Sequence, residues 1–551
     1  MNPEIVPSKS GLPTLKYGDE FLEDRTNPVE GANAFVTADA IKKATYVIVF
    51  GLGLGYRLAR IKELGVKSLL VYEPSMEVLE LAKAHAPERL EGVRVFTDPN
   101  VAASFIGDRT EPEETFTLLA PPPYQRAFAD EYKLLVRVLG EAQGITVLRR
   151  NTIRERSAAL VESALRNLPR IANHPLALGL GKPLKGSAAF IVSAGPSLDK
   201  NVGLLEEARK KGAIFALNTS APVLAKRNIP IDVLVAIEAL DVSPNLVAAA
   251  GVTKLAAIDL GVHEALFDTP IDKKLVFVSA ASQFAPIARG LDTQSLTYGG
   301  SVATAAFALA YAWGADPIIL IGQDLAYTDM RCYAKGTPYD DMLARVEGSH
   351  LVFEGAPIKE EIYNAGGIKP QPRRKSWIRV PAWGGEGEVH TTHELLSFKR
   401  WFDATAWYFK GERRFVNATE GGVRIENFEE KTLREMIDSL PDATADLEAS
   451  YASAVPLSAS LVSSLRERIG RSAKKVVEAV QRVVSEKSQT KRAQALEALR
   501  GVAKEAPLVN SHSATALLRL REEKDVSMIE RERRTFAAIR DSARKVLSLV
   551  S

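Results

Sequence analysis

Three places in this 551-residue chain carry residue types at spacings that suit chemistry. The first is "AAFIVSAGPSLDK", where an apolar run stops at Gly195-Pro196-Ser197. Gly195 lets the backbone come close to a partner, and Pro196 suits the first position of a helix. A helix N-terminus kept free of bulk in this way can receive an anion. The plain structural reading is a strand, a tight turn and an amphipathic helix over "SLDKNVGLLEEARKKG". The second is "YVIVFGLGLGYRLARIKELGVKSLLVYEPS". Here a strand over 46–50 meets Gly51-Leu52-Gly53-Leu54-Gly55, a helix follows, and a second strand over 68–72 ends at Glu73. A βαβ unit with a glycine-rich first turn and an acidic second-strand end is the pattern of a nucleoside site, with Glu73 on the ribose. The same glycines also serve any tight turn. The third place is "VHTTHELLSF". His390 and His393 are three apart at an expected helix start, which suits either a metal pair or a general base titrating near neutrality. No further metal ligands accompany them, and a solvated or capping histidine is the ordinary alternative.

These residues need elements to hold them. Between about 176 and 428 the chain is a series of short Val-, Ile- and Leu-rich runs: "AAFIVSAG", "AIFALNT", "VLVAIE", "LAAIDLG", "KLVFVSA", "SLTYGG", "PIILIGQD" and "RRFVNAT". Continuous apolar runs of this kind fit strands buried on both faces, and helical stretches such as "SVATAAFALAYAWGADP" alternate with them. In open α/β sheets ligands bind beyond the carboxyl ends of the strands. The residues just past each run are therefore the ones to read: Ser193 to Asp199, Asn218, Glu238, Asp259, Ser282, Gly299-Gly300-Ser301, Gln323-Asp324 and Asn417-Ala418-Thr419. Most are small or polar and are expected to converge on one binding rim. No GxxxxGK[ST] phosphate loop, GxSxG nucleophile turn or paired-cysteine metal spacing occurs.

Three compositional zones follow: 1–175, a Rossmann-like domain; 176–428, a second doubly wound domain that carries the rim; and 429–551, rich in Ala, Leu, Glu, Lys and Arg with only Tyr451 and Phe536 as aromatics after Phe428. The expected fold is α/β, with two doubly wound Rossmann-like domains followed by a C-terminal α-helical domain. The helical zone is expected to recognise a partner, so that its removal would spare nucleotide binding. Net charge +3, 46% apolar and 25% charged residues describe an ordinary globular chain and argue against a nucleic-acid or acidic-membrane partner. One cysteine, Cys332, excludes an internal disulfide framework, and no 18-residue apolar run is present. A cytoplasmic protein without a membrane span is expected.

Several of these motifs resemble known families. "IVSAGPSLDKN", "FALNTSAPVL", "YGGSVATAAFALAYAWGADPIILIGQDLAYT" and "FVNATEGGVRI" resemble the motility-associated factor family of bacterial flagellin glycosyltransferases, over roughly residues 45–430. That resemblance implies a glycosyltransferase moving a nonulosonic acid, pseudaminic or legionaminic, from its CMP-activated form to Ser or Thr of flagellin, with no cofactor required. The 176–428 zone is also similar to CMP-sialic-acid-dependent sialyltransferases. This implies that Gly195, Pro196, Ser197, Asn218, Gly300 and Ser301 meet the nucleotide, that Tyr327 and Tyr333 hold the phosphate, and that His390 is the general base. Glu238, Asp324 and Asn417 complete the expected donor-binding set. Two departures stand out: Ala194 replaces the sialyltransferases' Asn, and Tyr327 and Tyr333 are displaced by one from Asp324. The same zone resembles 6-hydroxymethylpterin diphosphokinases, which implies ATP and Mg²⁺ with Glu238, Asp259 and Asp324 as metal ligands. The turn at Gly51–Gly55 resembles S-adenosylmethionine methyltransferases, and "PPPY" (Pro121–Tyr124) their amino-methylating loop. The turn matches the motility-associated factors' own N-terminal domain too, so no use of S-adenosylmethionine is expected. A non-enzymatic flagellin-binding protein is the third reading.

Overall fold

A computed structural model describes residues 2–42, 44–66, 68–97, 99, 116–280, 284–355, 374–443, 445–486, 488–523 and 527–551. The chain forms two compact units, residues 1–151 and 152–551, where the sequence reading drew boundaries after 175 and 428.

The first unit opens with an antiparallel sheet of β1 (Pro3–Pro7), β2 (Pro13–Tyr17) and β3 (Glu20–Phe21). A parallel sheet follows, built from β4 (Tyr46–Phe50), β5 (Leu69–Tyr72), β6 (Arg94–Phe96) and β7 (Phe116–Leu119) in the order β6-β5-β4-β7. The chain steps outward from β4 to β5 and β6, then crosses to the other side of β4. Its topological switch point thus lies between β4 and β7, beyond which the glycine-rich turn sits. Both faces of β4 are covered, Ile48 and Phe50 by one apolar cluster and Val47 and Val49 by another.

The second unit is built on an eight-stranded sheet. Its strands are β8 (Ala188–Val192), β9 (Gly212–Leu217), β10 (Ile231–Ala236), β11 (Thr253–Asp259), β12 (Lys274–Phe277), β13 (Ile318–Ile321), β18 (Phe415–Asn417) and β19 (Glu429–Glu430). Every pairing is parallel, in the order β12-β11-β10-β9-β8-β13-β18-β19. The switch point here lies between β8 and β13. Alternate side chains feed two cores: Phe190, Ile214 and Leu234 face one way, and Ile191, Phe215 and Val233 the other. This is why the runs read as continuously apolar in sequence. Of the eight runs, "SLTYGG" forms no strand, only an isolated bridge from Leu296 to Ser279.

Three further differences concern a helix, an inserted sheet and the C-terminal segment. The expected helix over "SLDKNVGLLEEARKKG" breaks into Leu198–Asn201, a 3₁₀ turn at Val202–Leu204 and Leu205–Ala208, with Gly203 in the break. Between β13 and β18 the chain inserts an antiparallel sheet of β14 (Leu343–Glu347), β15 (His350–Glu354), β16 (Arg374–Pro381) and β17 (Glu388–Thr392), in that order. Finally, the C-terminal helices do not keep a core of their own. Val462, Leu465, Val476 and Val480 of helix Ala459–Ser485, with Val546 of helix Met528–Val550, belong to the same apolar cluster as Phe190, Ile214 and Leu234. Removing them would uncover a face of the central sheet, so the expectation that the rim survives without this segment is corrected. Among the described residues no helix is long and apolar enough to cross a membrane.

Candidate functional site at the second switch point

At the β8/β13 switch point the Gly195 N–H donates to the Gly322 carbonyl at 2.9 Å. A Cβ at Gly195 would collide with that carbonyl and with the Asp324 carboxylate. Glycine is required here by close approach. The Ser197 hydroxyl donates to Asp324 Oδ1 at 2.5 Å, and the Ser197 N–H lies 3.3 Å from both carboxylate oxygens. Thr328 donates its hydroxyl to Asp324 Oδ2 at 2.6 Å. The group at the start of helix Leu198–Asn201 is therefore the protein's own Asp324 carboxyl. Ser197 and Asp324 are 1% and 2% exposed, and Pro196 is buried beside them. Burial pushes the Asp324 carboxyl above its ordinary range, with the Ser197 and Thr328 hydrogen bonds opposing. The backbone continues through Leu325 at φ +50°, an unusual conformation for a non-glycine residue that often marks functional sites.

A segment after β13 covers this turn. Asp199 accepts from Arg331 at 2.7 Å and from the Lys335 N–H at 2.9 Å, and the Ala334 N–H donates to the Ala194 carbonyl at 2.9 Å. Tyr333 lies on this segment, its ring 5.3 Å from that of Tyr339.

The remaining rim residues differ in what they leave open. Asn218, just past β9, is 1% exposed, and neither of its amide atoms has a hydrogen-bond partner among the described residues. A buried polar group in that state costs about 1–3 kcal/mol unless something binds it. Asn417 is partly satisfied: its Oδ1 accepts the Thr419 N–H at 3.2 Å while its Nδ2 has no partner. Ser301 caps helix Val302–Ala312 in a reciprocal box with Thr304, an ordinary structural role, after Gly300 at φ +86°. Glu238 is half-buried past β10 and accepts the His263 N–H on its carbonyl at 2.9 Å. Asp259 accepts from the Gly261 N–H at 2.6 Å and the Tyr298 hydroxyl at 3.3 Å, and burial pushes its carboxyl up to about 7. In the strand order β11 stands four places from β13, about 19 Å at the usual strand spacing. Glu238, Asp259 and Asp324 therefore do not form one metal donor set, and no three-residue His, Cys, Asp or Glu cluster able to hold a metal occurs among the described residues. Ser282 lies outside those residues.

His390 is not at a helix start. It lies within β17, opposite Arg379 of β16, and helix His393–Tyr408 begins three residues later with exposed His393. The carbonyl of His390 accepts the Tyr327 N–H at 2.9 Å, and Thr391 donates its hydroxyl to the Leu325 carbonyl at 2.7 Å. These bonds tie β17 to the chain just past Asp324, so His390, Tyr327 and Asp324 share one connected region. The Tyr327 ring packs against Phe353 at 5.2 Å. Burial pushes its hydroxyl above the usual tyrosine range, with Thr392 opposing, so it stays a protonated donor. Burial and the Arg379 guanidinium hold His390 below the ordinary histidine range, which keeps the imidazole neutral at pH 7 and able to accept a proton. Arg379 and Trp377 escaped the sequence reading. The alternation in "RKSWIRVP", followed by a glycine-rich turn and "EVHTT", is the hairpin signal that locates them.

The first unit's glycine turn is built differently. Leu52 N–H donates to Glu73 at 2.7 Å, Gly53 N–H to the Tyr124 hydroxyl at 2.7 Å and Leu54 N–H to Glu23 at 2.8 Å. Tyr124 in turn donates to Glu73 at 2.9 Å. A Cβ at Gly51 would strike the Tyr124 ring. The donors and the carboxylate that would hold a nucleoside are taken up within the protein.

The second unit is thus built on an open, all-parallel eight-stranded sheet with Ser197, Asn218 and Asp324 just past β8, β9 and β13 around its switch point, the place where sheets of this kind bind ligands. Residues 162–330 match the model of the 6-hydroxymethylpterin diphosphokinase MptE-like family. Over 100% of this chain and 91% of the other, the fold matches the structure of the Maf glycosyltransferase from Magnetospirillum magneticum AMB-1, with a TM-score of 0.54 and 16% identity. No curated protein matches the chain by sequence. The resemblances read from the motifs, to motility-associated factors and to the diphosphokinases, are both borne out, and so is the expected fold class.

Proposed function

We propose that the second unit is a glycosyltransferase that moves a nonulosonic acid of the pseudaminic or legionaminic type from a CMP-activated donor to Ser or Thr hydroxyls of flagellin in the cytoplasm. The fold likeness to a Maf glycosyltransferase supports the transferase class. The observation that carries the reading is His390: a neutral imidazole tied through its backbone to Tyr327, three residues past Asp324 at the switch point. In this reading His390 removes the proton from the acceptor hydroxyl as that oxygen attacks the anomeric carbon. CMP leaves with the electron pair of its bond to the sugar, and neutral donors such as the Tyr327 hydroxyl stabilise the charge gathering on phosphate. Asn218 is the group whose unmet amide hydrogen bonds the nucleotide would satisfy.

A second reading is favoured by the family match over 162–330: pyrophosphoryl transfer from ATP to a hydroxymethylpterin. It requires Mg²⁺, and Glu238, Asp259 and Asp324 stand too far apart along the sheet to hold one ion together. A calorimetric panel of CMP, UDP, ATP with Mg²⁺, and S-adenosylmethionine separates the readings. CMP binding alone is expected; binding of ATP with Mg²⁺ but not CMP would replace the first reading with the second.

A further inference from the structure

One face of the β15–β17 sheet carries Phe353, Lys375, Trp377, Arg379 and His390 in register. Lys375 is paired with Glu394 at 2.7 Å. Arg379 is exposed and makes no hydrogen bond or ion pair to a described residue. It is held instead by an aromatic face, its guanidinium 5.5 Å from the Trp377 ring centroid, and that ring meets His390 edge-on at 4.7 Å. A cation over an aromatic ring spends none of its N–H donors on that contact, so the guanidinium fork stays open to a bidentate anion.

We propose that Arg379 receives the carboxylate of the sugar donor and so selects 2-keto sugar acids over neutral sugars. This rests on the glycosyltransferase reading above. The chemistry places the two groups together. In a nonulosonic acid the carboxylate is bonded directly to the anomeric carbon, the atom the acceptor hydroxyl attacks. The base that takes the proton from that hydroxyl must lie within a few ångströms of the same carbon, so the carboxylate lies close to the base. An open guanidinium on the strand facing His390 meets that requirement. A neutral aldose bears only hydrogen where the carboxylate would be and leaves the fork unfilled. Arg379 also faces His390 as a cation while the site is empty. Carboxylate binding would neutralise that cation and strengthen the base once donor is present.

The test compares CMP, CMP-N-acetylneuraminic acid and the C1 methyl ester of the latter by titration calorimetry against the wild-type chain, R379Q and R379K. Thermal unfolding checks that the variants fold, as an exposed side chain should allow. The wild type should prefer the acid over the ester. R379Q should weaken acid binding by about ten- to hundredfold, the loss expected for a charge-assisted hydrogen bond. It should leave CMP unchanged and bring the acid-to-ester preference close to one, with R379K intermediate. An acid preference that survives in R379Q, or a wild type that binds acid and ester equally, overturns the role of Arg379 while leaving the glycosyltransferase reading standing. A wild type that binds neither CMP nor the CMP-sugar overturns both.

Discussion

Both units place a glycine turn at the switch point of a parallel sheet, and in both a carboxylate of the protein caps that turn: Glu73 and Glu23 in the first, Asp324 in the second. The difference lies one strand over. In the first unit the residue past β5 is Glu73, which accepts from Leu52 N–H, Ser75 N–H and the Tyr124 hydroxyl. In the second the residue past β9 is Asn218, whose amide is buried with no partner among the described residues. A glycine turn therefore says that the backbone must bend. Whether it is a site depends on which nearby polar groups are left unsatisfied.

The comparison can be broken most severely by deleting residues 440–551. Val462, Leu465, Val476, Val480 and Val483 are buried in the core of the second unit. At ~1.5–3 kcal/mol each, their loss matches the whole stability of a typical domain, about 5–15 kcal/mol. Calorimetry should show the second unit's unfolding transition gone. A truncated chain that still unfolds cooperatively in that unit would mean the helices are dispensable to the sheet.

A smaller but more specific loss is expected at the base. His390→Ala should lower transfer by about 10²–10⁴-fold with CMP affinity little changed. His393→Ala, exposed at the head of its helix, should leave the rate within about twofold, the range of a surface change. If the two variants exchange behaviours in a steady-state assay, His390 is not the base.

The paired strand ends offer a direct contrast in stability. Glu73→Leu leaves two N–H groups and a tyrosine hydroxyl without their acceptor and should destabilise the first unit by about 3 kcal/mol or more. Asn218→Leu removes an amide that has no partner among the described residues, so stability in denaturant unfolding should fall by less than ~1 kcal/mol or rise, while CMP affinity falls about tenfold. Unaltered CMP binding in Asn218→Leu would remove that residue from the site.

The mildest effect is on pH. Burial raises Glu23 and Glu73 from the ordinary 4.5 to about 7. Between those values the folded carboxyls hold protons that the unfolded ones release, so the first unit loses stability as pH climbs from about 4.5 to about 7, and little changes below that window. Glu23→Gln keeps an acceptor for the Leu54 N–H and should flatten part of the slope in thermal scans at pH 5 and pH 8; an unaltered slope would mean Glu23 is ionised throughout.

Most of the parallel strands could be read from the sequence, whereas the antiparallel sheets β1–β3 and β14–β17 were not read from it. Burial on both faces leaves continuous Val, Ile and Leu runs, and the turns between a strand and its helix demand glycine, so β4, β5 and seven of the eight central runs were legible as strands. The sequence also determined which residue types stand at the strand ends, because the alternation of apolar run and polar stop is local. What those residues do depends on partners far away in the chain. Asp324 caps the Ser197 turn from a strand 127 positions later, and Tyr124 plugs a glycine turn 71 residues away. No spacing rule relates positions so far apart. Whether Asn218 is left without a partner among the described residues, or His390 faces Arg379, depends on which strands become neighbours. Strand order is set by the burial of whole faces and the handedness of crossovers, summed over the entire sheet.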